Sequence, residues 1–134
     1  MSDSWRKIGG ASYSEKCDKD IIDSSGSTWY RFVGNAGKRL PESANPQNMK
    51  SKSVCGTHGA AWIQPAHPTL ADGVVSRLAC FAWSNNNCYY NVAYDHAAVM
   101  IHVLACRESN GDVYHIYKLK PPKDCNFAYC AEGM

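Results

Sequence analysis

Seven cysteines in 134 residues constrain this chain more than any other feature. They run from Cys17 to Cys130, and the last two close the chain as Cys125-Asn126-Phe127-Ala128-Tyr129-Cys130. No Cys-x-x-Cys knuckle occurs, which argues against a structural zinc site of the usual spacing. What remains is a disulfide framework, which forms and persists in oxidising compartments. The expected location is therefore secreted, or the extracellular face of the cell surface. The odd count leaves one thiol over and points to a partner outside the chain. A cytosolic protein with free thiols is the competing reading, and the cysteine density weighs against it.

The length allows one domain with a real core, and four Trp, eight Tyr and three Phe supply much of it. Fourteen Lys and Arg against twelve Asp and Glu give a net charge of +2, which does not suggest nucleic-acid or membrane binding. The longest apolar run, Ala97 to Cys106, carries His102 and falls well short of the roughly 20 residues a membrane helix needs. No direct membrane insertion is expected. Met1-Ser2-Asp3-Ser4 lacks a basic and then an apolar leader region. A secreted domain of this sequence is thus expected to be a mature fragment with an added start methionine.

Along the chain, residues 1–16 are polar and look weakly ordered apart from Trp5-Arg6. Ser27 to Val33 reads as a strand, followed by turn residues Gly34-Asn35-Ala36-Gly37. Residues 41–53 look like an exposed loop. Short strands are expected at Ala60–Ile63, stopped by Pro65 and Pro68, and at Gly73–Leu78. The clearest signal is late. Ala97–Leu104 and Val113–Leu119 flank a polar loop with Asn110-Gly111, and together they read as a β-hairpin ended by Pro121-Pro122. No segment holds a helical period over 12 residues. The expected class is mostly β, with a small α+β variant and short helices possible.

These residues resemble a known family. Trp29-Tyr30-Arg31-Phe32-Val33-Gly34 is similar to the opening of the cysteine-rich domain found in uromodulin and the pancreatic zymogen-granule glycoprotein. In the same order follow Cys55-Gly56-Thr57, Trp62-Ile63, His67-Pro68, and Asp72-Gly73-Val74-Val75-Ser76-Arg77. Then come Cys80 with Trp83 and Cys88, and Pro121-Pro122 with Cys125 and Ala128-Tyr129-Cys130. Ser4-Trp5-Arg6 and Cys17-Asp18 fit the β-hairpin that precedes the domain in that family. The resemblance thus implies an N-terminal β-hairpin or extension over 1–26 and the cysteine-rich domain over 27–134, with disulfide-stapled antiparallel sheets. It implies the pairs Cys17–Cys125, Cys55–Cys130 and Cys80–Cys88. A further family bridge would join positions that read Ala44 and Asn87 here, so both partners are lost together. The last family bridge ties Cys106 to a cysteine upstream of the Trp-Arg pair. This chain has none before Cys17, so Cys106 is expected as a free thiol.

The candidate sites are few. His102 and His115 lie on the two arms of the hairpin, where a plausible register lets them share a metal; the plainer reading is two unrelated side chains on a partly exposed face. No metal is therefore assigned. His67-Pro68 reads as a hydrogen-bonded loop histidine rather than a base. Cys106 ends an apolar strand, unlike the electropositive, exposed setting of a catalytic thiol. Asp95-His96 and Asp112 offer no carboxylate pair, and no Gly-rich phosphate loop follows a strand. No enzyme and no cofactor are expected. For ligand capture the densest stretch is Trp83 to Asn91, with Trp83, Tyr89 and Tyr90 among four asparagines; the plain reading is a tight loop with inward aromatics. No Asn-x-Ser/Thr triplet occurs, so the N-glycan presentation that the resemblance would imply does not transfer. The expected function is a non-catalytic extracellular adhesion, matrix or recognition module. Its partners would be an extracellular protein or glycan and the neighbouring modules of a larger parent. The alternative is a stand-alone soluble binder of a small molecule, glycan or metal.

Overall fold

A computed structural model describes residues 1–2, 6, 18, 21–42, 59–81, 98–122 and 127–132. Six strands form one sheet in these residues: β1 (Trp29–Tyr30), β2 (Gly59–Gln64), β3 (Val75–Phe81), β4 (Ala98–Arg107), β5 (Val113–Lys118) and β6 (Phe127–Ala128). Their order is β1-β5-β4-β3-β2-β6. Five strands run antiparallel to their neighbours, and β6 lies parallel to β2 at one edge. Helical structure among the described residues is limited to 3-10 turns, at Gly34–Ala36, at Leu70–Asp72 and at Arg6. The mostly β class holds. No helix among the described residues is long and apolar enough to cross a membrane.

The period-2 pattern of the strands sets one apolar face against the core. Ile63, Ala79, Val99, Ile101, Val103, Ala105 and Tyr117 point to that face and are buried. Ile22, Phe32, Ala36, Leu40, Leu119, Tyr129 and Ala131 join this core from outside the long strands. The opposite face is half-buried, carrying Met100, His102, Leu104, Cys106, Tyr114 and Ile116.

The late hairpin forms as expected, with β4 running on to Arg107, past the expected end at Leu104. Its loop closes through the Glu108 N–H, which donates to the Asp112 carbonyl at 2.8 Å, and Gly111 takes φ +93. The first strand is shorter than expected. Only Trp29 and Tyr30 pair with β5. The Val33 N–H donates to the Met1 carbonyl at 3.0 Å, and the Met1 amine donates to the Arg31 carbonyl at 3.1 Å. Phe32 drops into the core, edge-on to Tyr117 at 5.7 Å.

The C-terminal stretch is tied down by charge. Arg6 and Asp18 are 1% and 0% exposed. The Arg6 guanidinium donates to both Asp18 oxygens, at 2.8 and 2.6 Å, and to the Tyr129 carbonyl at 2.9 Å. Asp18 also accepts the Tyr129 N–H at 2.7 Å, and the Arg6 carbonyl accepts the Ala131 N–H at 2.7 Å. Next along the chain, the Glu132 carbonyl accepts the N–H groups of Lys38 and Arg39, at 2.8 and 3.2 Å. Gly37 makes this approach possible. It has φ +97, and a Cβ there would stand 3.0 Å from the Glu132 carbonyl oxygen. The expected N-terminal β-hairpin falls mainly on residues outside those described.

Removing one partner of a buried ion pair leaves the other charge without compensation. Asp18→Ala is therefore expected to destabilise the oxidised domain by about 3–5 kcal/mol in urea unfolding. Arg6→Met with Asp18→Leu should cost less than the two single changes summed, because no lone charge then stays buried. A loss below about 1 kcal/mol for Asp18→Ala would show that the pair is not an anchor.

Candidate functional site

Where β1 leaves β5, a groove opens. β5 continues through Val113–Ile116 with no described strand on its outer side. Arg31–Gly34 and the Lys38-Arg39 segment form the other wall of a cavity of about 480 Å³. Residues of both parities, Val113, Tyr114 and His115, line it. It therefore lies along the sheet edge rather than on either face.

The Arg31 guanidinium lies over the Tyr114 ring, 3.7 Å from its centroid, and ion-pairs with Glu108. At a half-exposed site such a cation–π contact contributes about 0.5–1 kcal/mol. Val33 and Val113 give the groove apolar lips, at 40% and 50% exposure. Arg39 reaches Glu132 at 3.6 Å, and Lys38 is exposed on the same wall.

Behind the groove sits a buried polar chain. The His67 side chain is 3% exposed, and its Nδ1 lies 2.8 Å from Glu42 Oε2. A carboxylate only accepts, so Nδ1 carries the proton and donates to it. Nε2, 2.6 Å from the Tyr117 hydroxyl, then accepts from that hydroxyl. The Tyr117 oxygen in turn accepts the Leu40 N–H at 3.1 Å. The Glu42 carboxylate also takes the His67 backbone N–H at 2.7 Å. Burial drives the His67 imidazole down to about 4, against the opposing pull of Glu42, and the nearby His115 pushes the same way as burial. Hydrogen bonds from His67 hold Glu42 below its usual range. Burial raises the Tyr117 hydroxyl.

The register corrects one expectation. His102 stands opposite Lys118, and His115 stands opposite Ala105. Lys118 and His115 are three positions apart on β5, so the two histidines point to opposite faces of the sheet and cannot share a metal. His115 instead packs against His67, ring centroids 4.5 Å apart, with its Nε2 3.0 Å from the Pro68 carbonyl. No cluster of three or more metal-binding side chains occurs among the described residues. Cys80 and Cys130 are engaged in disulfides and fully buried. Cys106 is a free thiol opposite Tyr114. Cys17, Cys55, Cys88 and Cys125 lie outside the described residues, as do Trp83, Tyr89 and Tyr90. Sequence reasoning did not single out Arg31, Tyr114 or Glu42. Arg31 and Tyr114 are 83 positions apart, and nothing in either local pattern marks the contact.

Residues 30–131 match the uromodulin-like domain family. The chain is 32% identical over 132 residues to the pancreatic secretory granule membrane major glycoprotein GP2 of Rattus norvegicus, covering 98% of this chain and 22% of that protein. The same glycoprotein of Canis lupus familiaris is 35% identical over 120 residues, covering 90% and 19%. Uromodulin of Rattus norvegicus is 33% identical over 133 residues, covering 98% and 17%. This chain belongs to the uromodulin-like domain family, and it spans about a fifth of the length of these relatives.

The His67 chain makes stability depend on pH. The folded-state value of about 4 lies below the ordinary 6.5, so the unfolded chain binds the extra proton first. Stability is full above about 6.5 and declines as pH falls toward 4, by up to about 3 kcal/mol. The lowered Glu42 adds loss in the same direction at the acid end. The melting temperature of the oxidised domain should therefore fall between about pH 7 and pH 4. In His67→Gln it should start lower and change much less over that interval. Parallel profiles for the two proteins would contradict the assignment.

Proposed function

We propose that this member of the uromodulin-like family is a non-catalytic recognition module of a larger glycoprotein that traverses the secretory pathway. The groove beside β5 carries the reading. It offers an arginine laid on a tyrosine between apolar lips, and Arg and Tyr are the residue types enriched at binding hot spots. The secretory location draws on the disulfides at Cys80 and Cys130. It also draws on the name of a relative, a secretory granule membrane glycoprotein. His67, the described histidine with a resolved pKa shift, spends both ring nitrogens on Glu42 and Tyr117. It has no nitrogen left for a substrate and serves the fold.

In this reading residues 1–26 extend a domain of 27–134, and its partners are an extracellular protein or glycan together with neighbouring modules of the parent. The proposed bridges are Cys17–Cys125, Cys55–Cys130 and Cys80–Cys88, with Cys106 facing an upstream cysteine of the parent. Trp83, Tyr89 and Tyr90 would form a second contact on the loop that follows Cys80.

The oxidised domain should be screened against arrays of glycans and of extracellular protein domains. A genuine ligand is expected to lose about tenfold in affinity or more on Tyr114→Ala or Arg31→Ala, a typical hot-spot effect, with little change in melting temperature. Ligands indifferent to both changes would remove the groove from the function. Non-reduced peptide mapping by mass spectrometry should return the three bridges above. A bridge from Cys106 to any of those six cysteines would overturn the framework.

A further inference from the structure

The groove has a second property, which belongs to the backbone. The Glu108 N–H bonds to the Asp112 carbonyl, and residues 108 and 112 continue the β4–β5 register. In an antiparallel ladder, hydrogen-bonded and non-bonded pairs alternate. Cys106–Tyr114 and Leu104–Ile116 are then the bonded pairs. The N–H and C=O groups of Val113 and His115 point away from β4, into the groove. Tyr117, next in that series, faces Tyr30 of β1. Four residues of edge, Val113–Ile116, thus run about 13 Å at ~3.3 Å per residue beside β1's divergent continuation.

We infer that this edge of β5, unpaired by any described strand, takes up an extended acidic polypeptide segment as an added strand, seated between Val113–His115 and Arg31–Gly34. Alternating donors and acceptors at strand spacing match the main-chain groups of an extended polypeptide. Val33 and Val113 would cover apolar side chains of the incoming strand. Charge sets its composition. Glu108 is already engaged by Arg31, and Asp112 lies at the turn end, where its carboxylate accepts from Asn110 at 3.2 Å. On the opposite wall Lys38 is exposed, and Arg39 beside it reaches Glu132 at 3.6 Å. Acidic residues of the segment are drawn to the Lys38 wall and kept from Asp112. An edge left this open is normally blunted in a free-standing domain by charge, proline or a covering element.

This inference rests on the recognition reading and names its partner class. The test uses the oxidised domain, isotope-labelled, titrated with capped octapeptides of Glu alternating with Val and Thr. Lysine counterparts and sulfated and sialylated oligosaccharides serve as the other arms. The expected result is shifted and exchange-protected amides at Val113 and His115, with the lysine peptides at least tenfold weaker. Val113→Pro removes an outward N–H at the first residue of a strand, where proline is tolerated. It should lower affinity at least tenfold. Lys38→Glu, which leaves the backbone intact, should weaken the acidic peptides and strengthen the basic ones. The idea is overturned if no octapeptide binds, if the shifted amides lie elsewhere, or if neither variant alters binding. Oligosaccharides producing the same shifts where peptides do not would also overturn it. Any of these, with an array ligand still sensitive to Tyr114→Ala, would leave the recognition reading standing.

Discussion

The fork between Arg6 and Asp18 is the constraint on which the rest depends. A charge-assisted bidentate pair is geometrically demanding, and here both partners also serve the Tyr129 peptide group. Desolvation offsets much of the Coulombic attraction, and the remaining hydrogen bonds to Tyr129 give the pair its place in the fold. It fixes where residues 128–132 run relative to residues near the N-terminus. From there the constraint passes by hydrogen bonds alone. Glu132 holds Lys38 and Arg39, the Pro41 carbonyl accepts the Ile63 N–H at 2.8 Å, and Glu42 holds His67. Two walls of the molecule, the cationic lip of the groove and the buried His67 chain, hang from that sequence of contacts.

The groove lies where β1 stops pairing with β5. Arg31-Phe32-Val33 has the composition of a strand, but only Trp29 and Tyr30 pair with β5, while Phe32 packs edge-on to Tyr117 and Met1 bonds to Arg31 and Val33. The edge that this leaves beside Val113 and Tyr114 is bounded by cations and valines.

Much of the scaffold was legible in the sequence. The β4–β5 hairpin was visible because its arms are apolar and β-branched and its loop holds Asn110-Gly111. The family followed from the ordered set of Trp, Cys and His-Pro motifs. His67 was readable as a hydrogen-bonded loop histidine from its place beside Pro68. The metal pairing of His102 with His115 failed for a definite reason. Composition locates the two strands, but the register is set by the turn between Arg107 and Val113, and a one-residue difference moves a side chain to the other face.

Sequence alone thus determined class, family and the arms of the hairpin, because these rest on local periodicity and on motifs whose order survives in one dimension. Tertiary structure decided which charges are buried and where the sheet stops. The motifs Trp5-Arg6 and Cys17-Asp18 were matched to the family's N-terminal hairpin, but nothing local paired the two charges; both are bonded to Tyr129, more than a hundred residues away. Arg31 meets Tyr114 only because β1 reaches the outer edge of β5 and then departs from it. Both outcomes are settled by which distant groups meet, and such meetings have no signature in any local window of the chain.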